Sequence, residues 1–332
     1  MGVPETGLPQ LFAQVRGYPA ARPAASRARI VAVGGGKGGI GKSLVSASLA
    51  IELARLGRRV ALVDADLGGA NLHTCLGLPR ARPGLGDFME RRISRLEEAL
   101  VPSAVTGLSL VGGEDDPLAA ANPRHQQKLR LLRAVRALDQ DFVILDVGAG
   151  TGLNVLDFFL AADDGIVVLV PEPTSVENGY RFLKAAFYRR LRAAMEGPAL
   201  AALLAEATRQ AAGTLLGPRR LLSAARERDP ALAEQLEREM RGFRPRLVVN
   251  MARTAGDAEI GDAVAAAWRA YFGLEMDYLG YIEFDDDAWR TVRARRPLLV
   301  EFPQGRTATA MAAIAGRLLA IERAAAVTAI GG

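Results

Sequence analysis

Ten residues from Gly34 to Ser43 contain the residue types and the spacing of a phosphate-binding loop. Within them, residues 36–43 read Gly-Lys-Gly-Gly-Ile-Gly-Lys-Ser and fit the pattern G-x-x-x-x-G-K-S. Glycines let the backbone wrap around phosphates with its N–H groups directed inward, and the helix that follows adds partial positive charge. The Lys42 ammonium is expected to reach the β- and γ-phosphates of a nucleotide, and the Ser43 hydroxyl to bind Mg²⁺. The predicted nucleotide-binding residues are Gly36, Lys37, Gly38, Gly39, Ile40, Gly41, Lys42 and Ser43.

Three aspartates are predicted to complete this site, because each lies at the end of an apolar run typical of a buried strand. Asp64 and Asp66 come at the end of one such run, and Asp146 ends another. Carboxylates at strand ends hold Mg²⁺ or orient the attacking water in nucleotide hydrolases. We assign water positioning to Asp66 and the outer shell of Mg²⁺ to Asp64 and Asp146. Which of Asp64 and Asp66 orients the water stays open at this point.

The elements that must position these residues are alternating strands and helices. Continuous apolar, β-branched runs predict strands at 30–33, 59–64, 108–111, 142–146, 165–171, 247–250 and 277–282, and helices are predicted at 44–56 and 122–138. Such runs are typical of parallel strands covered on both faces. We therefore predict an α/β fold with a doubly wound, mostly parallel sheet and helices on both faces. Ligands of such sheets bind at the carboxyl ends of the strands.

Composition divides the chain into an arm and one large domain. Residues 1–28 are rich in Pro, Ala and Arg and predict a flexible N-terminal arm, while 29–332 form the nucleotide-binding domain. Residues 183–244, rich in Ala, Leu, Arg and Glu, predict a helical insertion. The net charge of +5 permits an acidic partner such as nucleic acid or an anionic membrane surface. The single cysteine, Cys75, excludes an internal disulfide, and without a signal peptide we expect a cytoplasmic protein.

The phosphate loop resembles the variant loop of the MinD/ParA group of P-loop ATPases, K-G-G-x-G-K-[ST], which corresponds here to residues 37–43. The segments 63–72, 146–150, 154–162 and 170–175 resemble the FlhG/FleN-like branch of that group. This resemblance implies a dimer that encloses ATP, with Lys37 of one subunit reaching the phosphates of the other. It also implies that Asn250 contacts adenine. The proline that usually follows the last strand of the family is replaced by Glu283.

The resemblance implies an ATPase that uses ATP and Mg²⁺ and works as a dimerisation switch. Such a switch positions or counts cellular machinery, a flagellar or other polar apparatus, with a protein activator or cargo as partner. One alternative is a ParA-like partitioning ATPase that acts on nucleic acid or at a division site. A metal- or cluster-carrier ATPase is less favoured, because the chain has one Cys and two His. Peripheral contact with the inner membrane is not favoured either, because residues 311–330 are rich in Ala and contain only three charged residues, Arg317, Glu322 and Arg323.

Overall fold

An eight-stranded sheet forms the centre of the protein. The computed structural model describes residues 28–66, 69–80, 82–113, 123, 125–195, 201–205 and 217–330, so the predicted N-terminal arm lies almost entirely outside the described residues. The strand order is β3-β4-β2-β5-β1-β6-β7-β8, and every neighbouring pair is parallel except the antiparallel pair β3–β4. The strands are β1 Arg29–Gly35, β2 Val60–Ala65, β3 Leu100–Pro102, β4 Leu108–Val111, β5 Phe142–Ala149, β6 Asp164–Leu169, β7 Arg246–Ala252 and β8 Asp277–Glu283.

Helices cover both faces of this sheet, and a core lies under each layer. In β1, Ile30 and Ala32 point into one core and Val31 and Val33 into the other, as the two-residue period of a strand requires. The helices are α1 Lys42–Arg55, α2 Leu72–Cys75, α3 Leu85–Met89, α4 His125–Ala137, α5 Leu153–Ala161, α6 Pro173–Ala194, α7 Pro218–Arg228, α8 Pro230–Arg241, α9 Ala255–Phe272, α10 Asp286–Ala294, α11 Leu298–Glu301 and α12 Arg306–Ile330. The predicted doubly wound α/β fold is confirmed.

Local sequence signals explain where several helices begin and end. The Asp229 carboxylate caps α8 by accepting from the N–H groups of Ala231 and Leu232, and Pro230 occupies the first helical position. The Thr254 side chain caps α9 in a capping box with Asp257. These signals are local, so they are readable before any tertiary contact is known.

Two differences from the predicted elements have physical reasons. The strand β3 was not predicted, because three residues ending in a proline carry no recognisable strand pattern. The predicted start of the helical insertion, residue 183, lies inside α6, whose Phe182, Leu183 and Phe187 side chains are buried in the core. After the end of α6 at Ala194, α7 and α8 follow before β7, and Leu221 of α7 and Leu236 of α8 join the same core.

Candidate nucleotide site

The predicted phosphate loop connects the central strand β1 to the start of α1. Gly41 precedes α1 with φ of 83°, a left-handed conformation that favours glycine, and no side chain among the described residues caps this helix. Gly36 packs against α6, where an added Cβ would lie 2.0 Å from the carbonyl oxygen of Asn178. The first N–H groups of α1 therefore have no side-chain acceptor, which suits an anion at the helix N-terminus.

Lys42 is held inside this loop. Its side chain is buried, and its Nζ donates to the carbonyl oxygen of Lys37 at 3.2 Å. Burial lowers the pKa of Lys42, while the carboxylates of Asp146 and Asp66 act in the opposite direction. This ammonium contacts a loop carbonyl, lies near two carboxylates and lines the cavity beside the loop, so it is available to a phosphate bound there.

Asp64 and Asp146 are register partners on the neighbouring strands β2 and β5. Asp64 is the second-last residue of β2, but the prediction that Asp146 ends its strand was wrong, because β5 continues to Ala149, which pairs with Gly35 of β1. Both are buried, and burial raises the pKa of Asp64 to about 7 and that of Asp146 to about 6. Asp64 accepts hydrogen bonds from the N–H groups of Leu72 at 3.0 Å and Asp66 at 3.3 Å. Two neighbouring buried carboxylates disfavour each other's ionised form, so a cation between the strand ends and the loop would stabilise both.

Ser46 is a site residue that sequence reasoning missed. Its buried Oγ lies 2.8 Å from Asp146 Oδ1 and 3.0 Å from the Lys42 carbonyl oxygen. Ser43 also donates to Asp146, which helps to hold the pKa of that carboxylate down against burial. Ser46 is one helical turn beyond Lys42, and this spacing on α1 is the one sequence signal that it offered.

The residues fit Mg²⁺ better than a soft metal. Ser43, Asp64 and Asp146 supply hydroxyl and carboxylate oxygens, the ligand type that Mg²⁺ takes together with phosphates and waters. No group of three or more His, Cys, Asp and Glu side chains suited to a metal occurs in the described parts of the chain. Cys75 is buried, and burial raises its pKa to about 12, so its sulfur stays a protonated thiol.

Asp66 follows β2 directly and faces the same cavity as the phosphate loop. This cavity of about 930 Å³ is lined by Lys42, Ser43, Asp66 and Asn250, among others. Gly148 leaves space for the Asp66 carboxylate, because a Cβ added at position 148 would lie 3.0 Å from Asp66 Oδ1. The fold thus brings the predicted water-positioning carboxylate to the predicted phosphate loop, although the two are separated in sequence.

Lys37 does not face its own loop's cavity in the single chain. Its Nζ lies 3.0 Å from Glu172 Oε2, just before α6, and the two side chains are 41% and 57% exposed. An exposed ion pair of this kind contributes about 0–1 kcal/mol. The ammonium is therefore held at the surface by an interaction that another anion can replace at little cost.

Asn250, expected to contact adenine, has a partner in the phosphate loop. Its side chain is buried, and its Nδ2 donates to the Ile40 carbonyl oxygen at 2.9 Å. This hydrogen bond ties the end of β7 to the loop, and an added Cβ on Gly41 would lie 2.4 Å from the same nitrogen. Because Asn250 also lines the cavity, its Oδ1 still offers an acceptor for a bound base.

A comparison with protein-family models decides the family. The model of the ParA family, described as NUBPL iron-transfer P-loop NTPase, matches residues 26–195, just over half of the chain. The chain belongs to the ParA family of P-loop NTPases. The matched range contains the phosphate loop and all three predicted aspartates of this ParA-family protein.

Curated relatives and solved structures agree with this assignment. Antiactivator FleN of Pseudomonas aeruginosa is 26% identical over 87% of this chain and 86% of its own length. The flagellum site-determining protein YlxH of Helicobacter pylori is 29% identical over 47% of this chain and 53% of its own. The fold is that of MinD of Pyrococcus horikoshii, solved with Mg-ADP, with a TM-score of 0.61, 20% identity and coverage of 88% of this chain and 96% of that one.

The described helices contain no segment that is both long and apolar enough to cross a membrane. The terminal helix α12 instead packs on the sheet and on α1, with Met311, Ile314, Ala315 and Leu318 buried.

Proposed function

We propose that this protein is an ATP-binding and ATP-hydrolysing dimerisation switch that positions or counts cellular machinery, a flagellar or other polar apparatus. The observation that carries the proposal is the convergence of Lys42, Ser43 and Asp66 on one cavity, with the buried Asp146 accepting from Ser43 and Asp64 beside it as its register partner. The similarity to FleN and YlxH, which are an antiactivator and a flagellum site-determining protein by name, supports the choice of cargo.

Each side chain has one task in this proposal. The N–H groups of the loop and the Lys42 ammonium bind the phosphates, and Ser43, with Asp64 and Asp146 behind it, holds Mg²⁺, whose charge would offset that of the phosphates. Asp66 orients the attacking water. Lys37 exchanges Glu172 for the phosphates of the other subunit, where a cation supplied in trans stabilises the charge of the transition state as an arginine finger does. Hydrolysis is thereby coupled to dimerisation.

Light scattering after size exclusion, done on Asp66→Ala protein with Mg-ATP and with Mg-ADP, tests the switch. Slow hydrolysis in this variant should preserve the ATP state, so we expect a dimer with ATP and a monomer with ADP. Wild-type protein should show the dimer only transiently, and its steady-state ATPase rate should rise with protein concentration. The same oligomeric state with ATP and with ADP would refute the proposal.

A second candidate is a partitioning ATPase that acts on nucleic acid, favoured by the net charge of +5. Retention of the ATP-bound Asp66→Ala protein on DNA should then fall steeply with salt, because phosphate contacts release counterions. Equal retention with ATP and with ADP would argue against it. A cluster carrier finds less support: Cys75 is the chain's one cysteine, and it is buried and protonated.

A further inference from the structure

An exposed tryptophan lines the nucleotide cavity beyond the residues already discussed. The cavity that contains Lys42 and Ser43 extends to α10, where Ala288, Trp289 and Val292 line it. Trp289 is 65% exposed, although a side chain of this size and apolar character is usually covered. The same cavity is lined by Ile282 and Glu283 at the end of β8.

The helix that carries Trp289 is firmly anchored. The Asp285 carboxylate caps α10 by accepting from the Asp287 N–H at 3.1 Å, and it also accepts from Thr307 Oγ1 at 2.7 Å. Thr291 is buried on the opposite side of the helix. The indole is thus presented by a fixed element, so a ligand that contacts it loses little free energy to ordering.

The other aromatic ring in this wall already has a partner. The Arg253 guanidinium lies 3.6 Å from the centroid of the half-buried Phe284 ring. Trp289 has only a looser contact of this type, with the Arg293 guanidinium 5.3 Å from its ring centroid. Most of the indole surface is therefore exposed, and the residue lines the cavity, so a flat ligand bound there can contact the ring.

We propose that the Trp289 indole stacks on the base of the bound nucleotide. The inference rests on the proposed function, since it names the group that holds the base of the ATP placed there. Any base has a π-face, so stacking adds affinity without selecting adenine, and the Asn250 amide is the better candidate for that selection.

Intrinsic fluorescence tests the contact directly, because the chain has two tryptophans and the other one, Trp268, is buried. Titration of wild-type protein with Mg-ATP or Mg-ADP should quench the long-wavelength emission of the exposed indole. Titration with Mg-tripolyphosphate, which has the phosphates without a base, should leave that emission unchanged.

Calorimetric affinities of three variants complete the test. Trp289→Ala should weaken ATP and GTP by about 5- to 150-fold and leave tripolyphosphate unchanged, because each stacked base contributes in that range. Trp289→Phe should recover most of the affinity. Tyr271→Ala, which removes a 72% exposed aromatic side chain outside this cavity, is the matched control and should bind ATP as the wild type does.

The outcomes separate this inference from the proposed function. If wild-type protein binds ATP and Trp289→Ala binds it equally tightly, the stacking inference is wrong and the proposed function is unaffected. If wild-type protein binds tripolyphosphate but gains nothing from a base, stacking is refuted as well. Failure of the wild type to bind either compound would overturn both.

Discussion

At the scale of single residues, this site depends on charged groups that have been taken out of water. Lys42, Asp64 and Asp146 are all buried, and in each of them burial shifts the pKa toward the neutral form. Without a bound ligand, such a cluster lowers the free energy of unfolding. The phosphates of a nucleotide would offset the charge of Lys42, and its metal ion would offset the charges of the two carboxylates. The residues that destabilise the protein without ligand would therefore favour binding.

Lys42→Ala should weaken ATP and ADP by about 100-fold or more, because the variant loses a charge-assisted contact with the phosphates. Isothermal titration calorimetry measures the loss, and Lys184→Ala on α6 provides a lysine control away from the cavity. Tight ATP binding by Lys42→Ala would mean that the loop does not bind phosphate through this side chain.

The raised pKa of Asp64 predicts a pH dependence of stability. Its folded pKa of about 7 lies above the ordinary value of 3.8, so the folded protein keeps a proton that the unfolded chain releases. The contribution of Asp64 to the free energy of unfolding is therefore complete below pH 4 and is lost as the pH rises to about 7. The free energy of unfolding of wild-type protein without nucleotide, minus that of Asp64→Asn, should therefore fall across this window. Denaturant unfolding at several pH values measures this difference. If the free energies of unfolding of the two proteins change with pH in the same way, Asp64 does not cause the dependence.

At the scale of elements, the loop works because three neighbours fix its shape. The strand β1 delivers it, α6 supports it at Gly36, and β7 ties it through the hydrogen bond from Asn250 to Ile40. The junction between the loop and α1 requires a left-handed backbone conformation, which Gly41 adopts without a steric penalty. These contacts restrict the conformations that the loop can adopt.

Two glycines of this loop give a matched pair of variants. Gly36→Ala places a methyl group against the Asn178 carbonyl, which should cost about 1–3 kcal/mol of stability and weaken ATP binding as α6 or the loop moves. Gly38→Ala has no atom within 4 Å of the added methyl, so its stability without nucleotide should match the wild type. Thermal unfolding compares the two variants. Equal stability of Gly36→Ala and Gly38→Ala would show that α6 moves to accommodate the added methyl group without a loss of stability.

At the scale of the whole molecule, the single chain holds a cation at its surface that its own cavity does not use. The exposed pair of Lys37 and Glu172 contributes little free energy, so exchanging it for the phosphates of a second subunit costs little. A weak pair at this position would suit the proposed dimerisation switch, whose two states must lie close in free energy.

Lys37→Ala, made in the Asp66→Ala background, should still bind ATP with an affinity near that of its parent but should no longer dimerise. Arg181→Ala removes another exposed cation, which is 65% exposed against 41% for Lys37 and pairs with Glu177 on α6, and it should leave the dimer intact. Light scattering with Mg-ATP distinguishes the two. An ATP-dependent dimer of the Lys37→Ala protein would remove the trans role of this lysine.

The sequence by itself determined the strand-loop-helix of the phosphate loop, the seven parallel strands and the three aspartates in or directly after β2 and β5, because local spacing and apolar runs indicate these features. Tertiary structure decided what sequence spacing does not encode. Asp64 and Asp146 became register partners, and Ser46 and Gly148 joined the site, only through the order of strands around β1. The same packing joined Asn250 to Ile40 and brought Trp289 to the cavity wall. Side chains far apart in the chain meet only when burial of two cores fixes which strand lies beside which, and no local pattern carries that information.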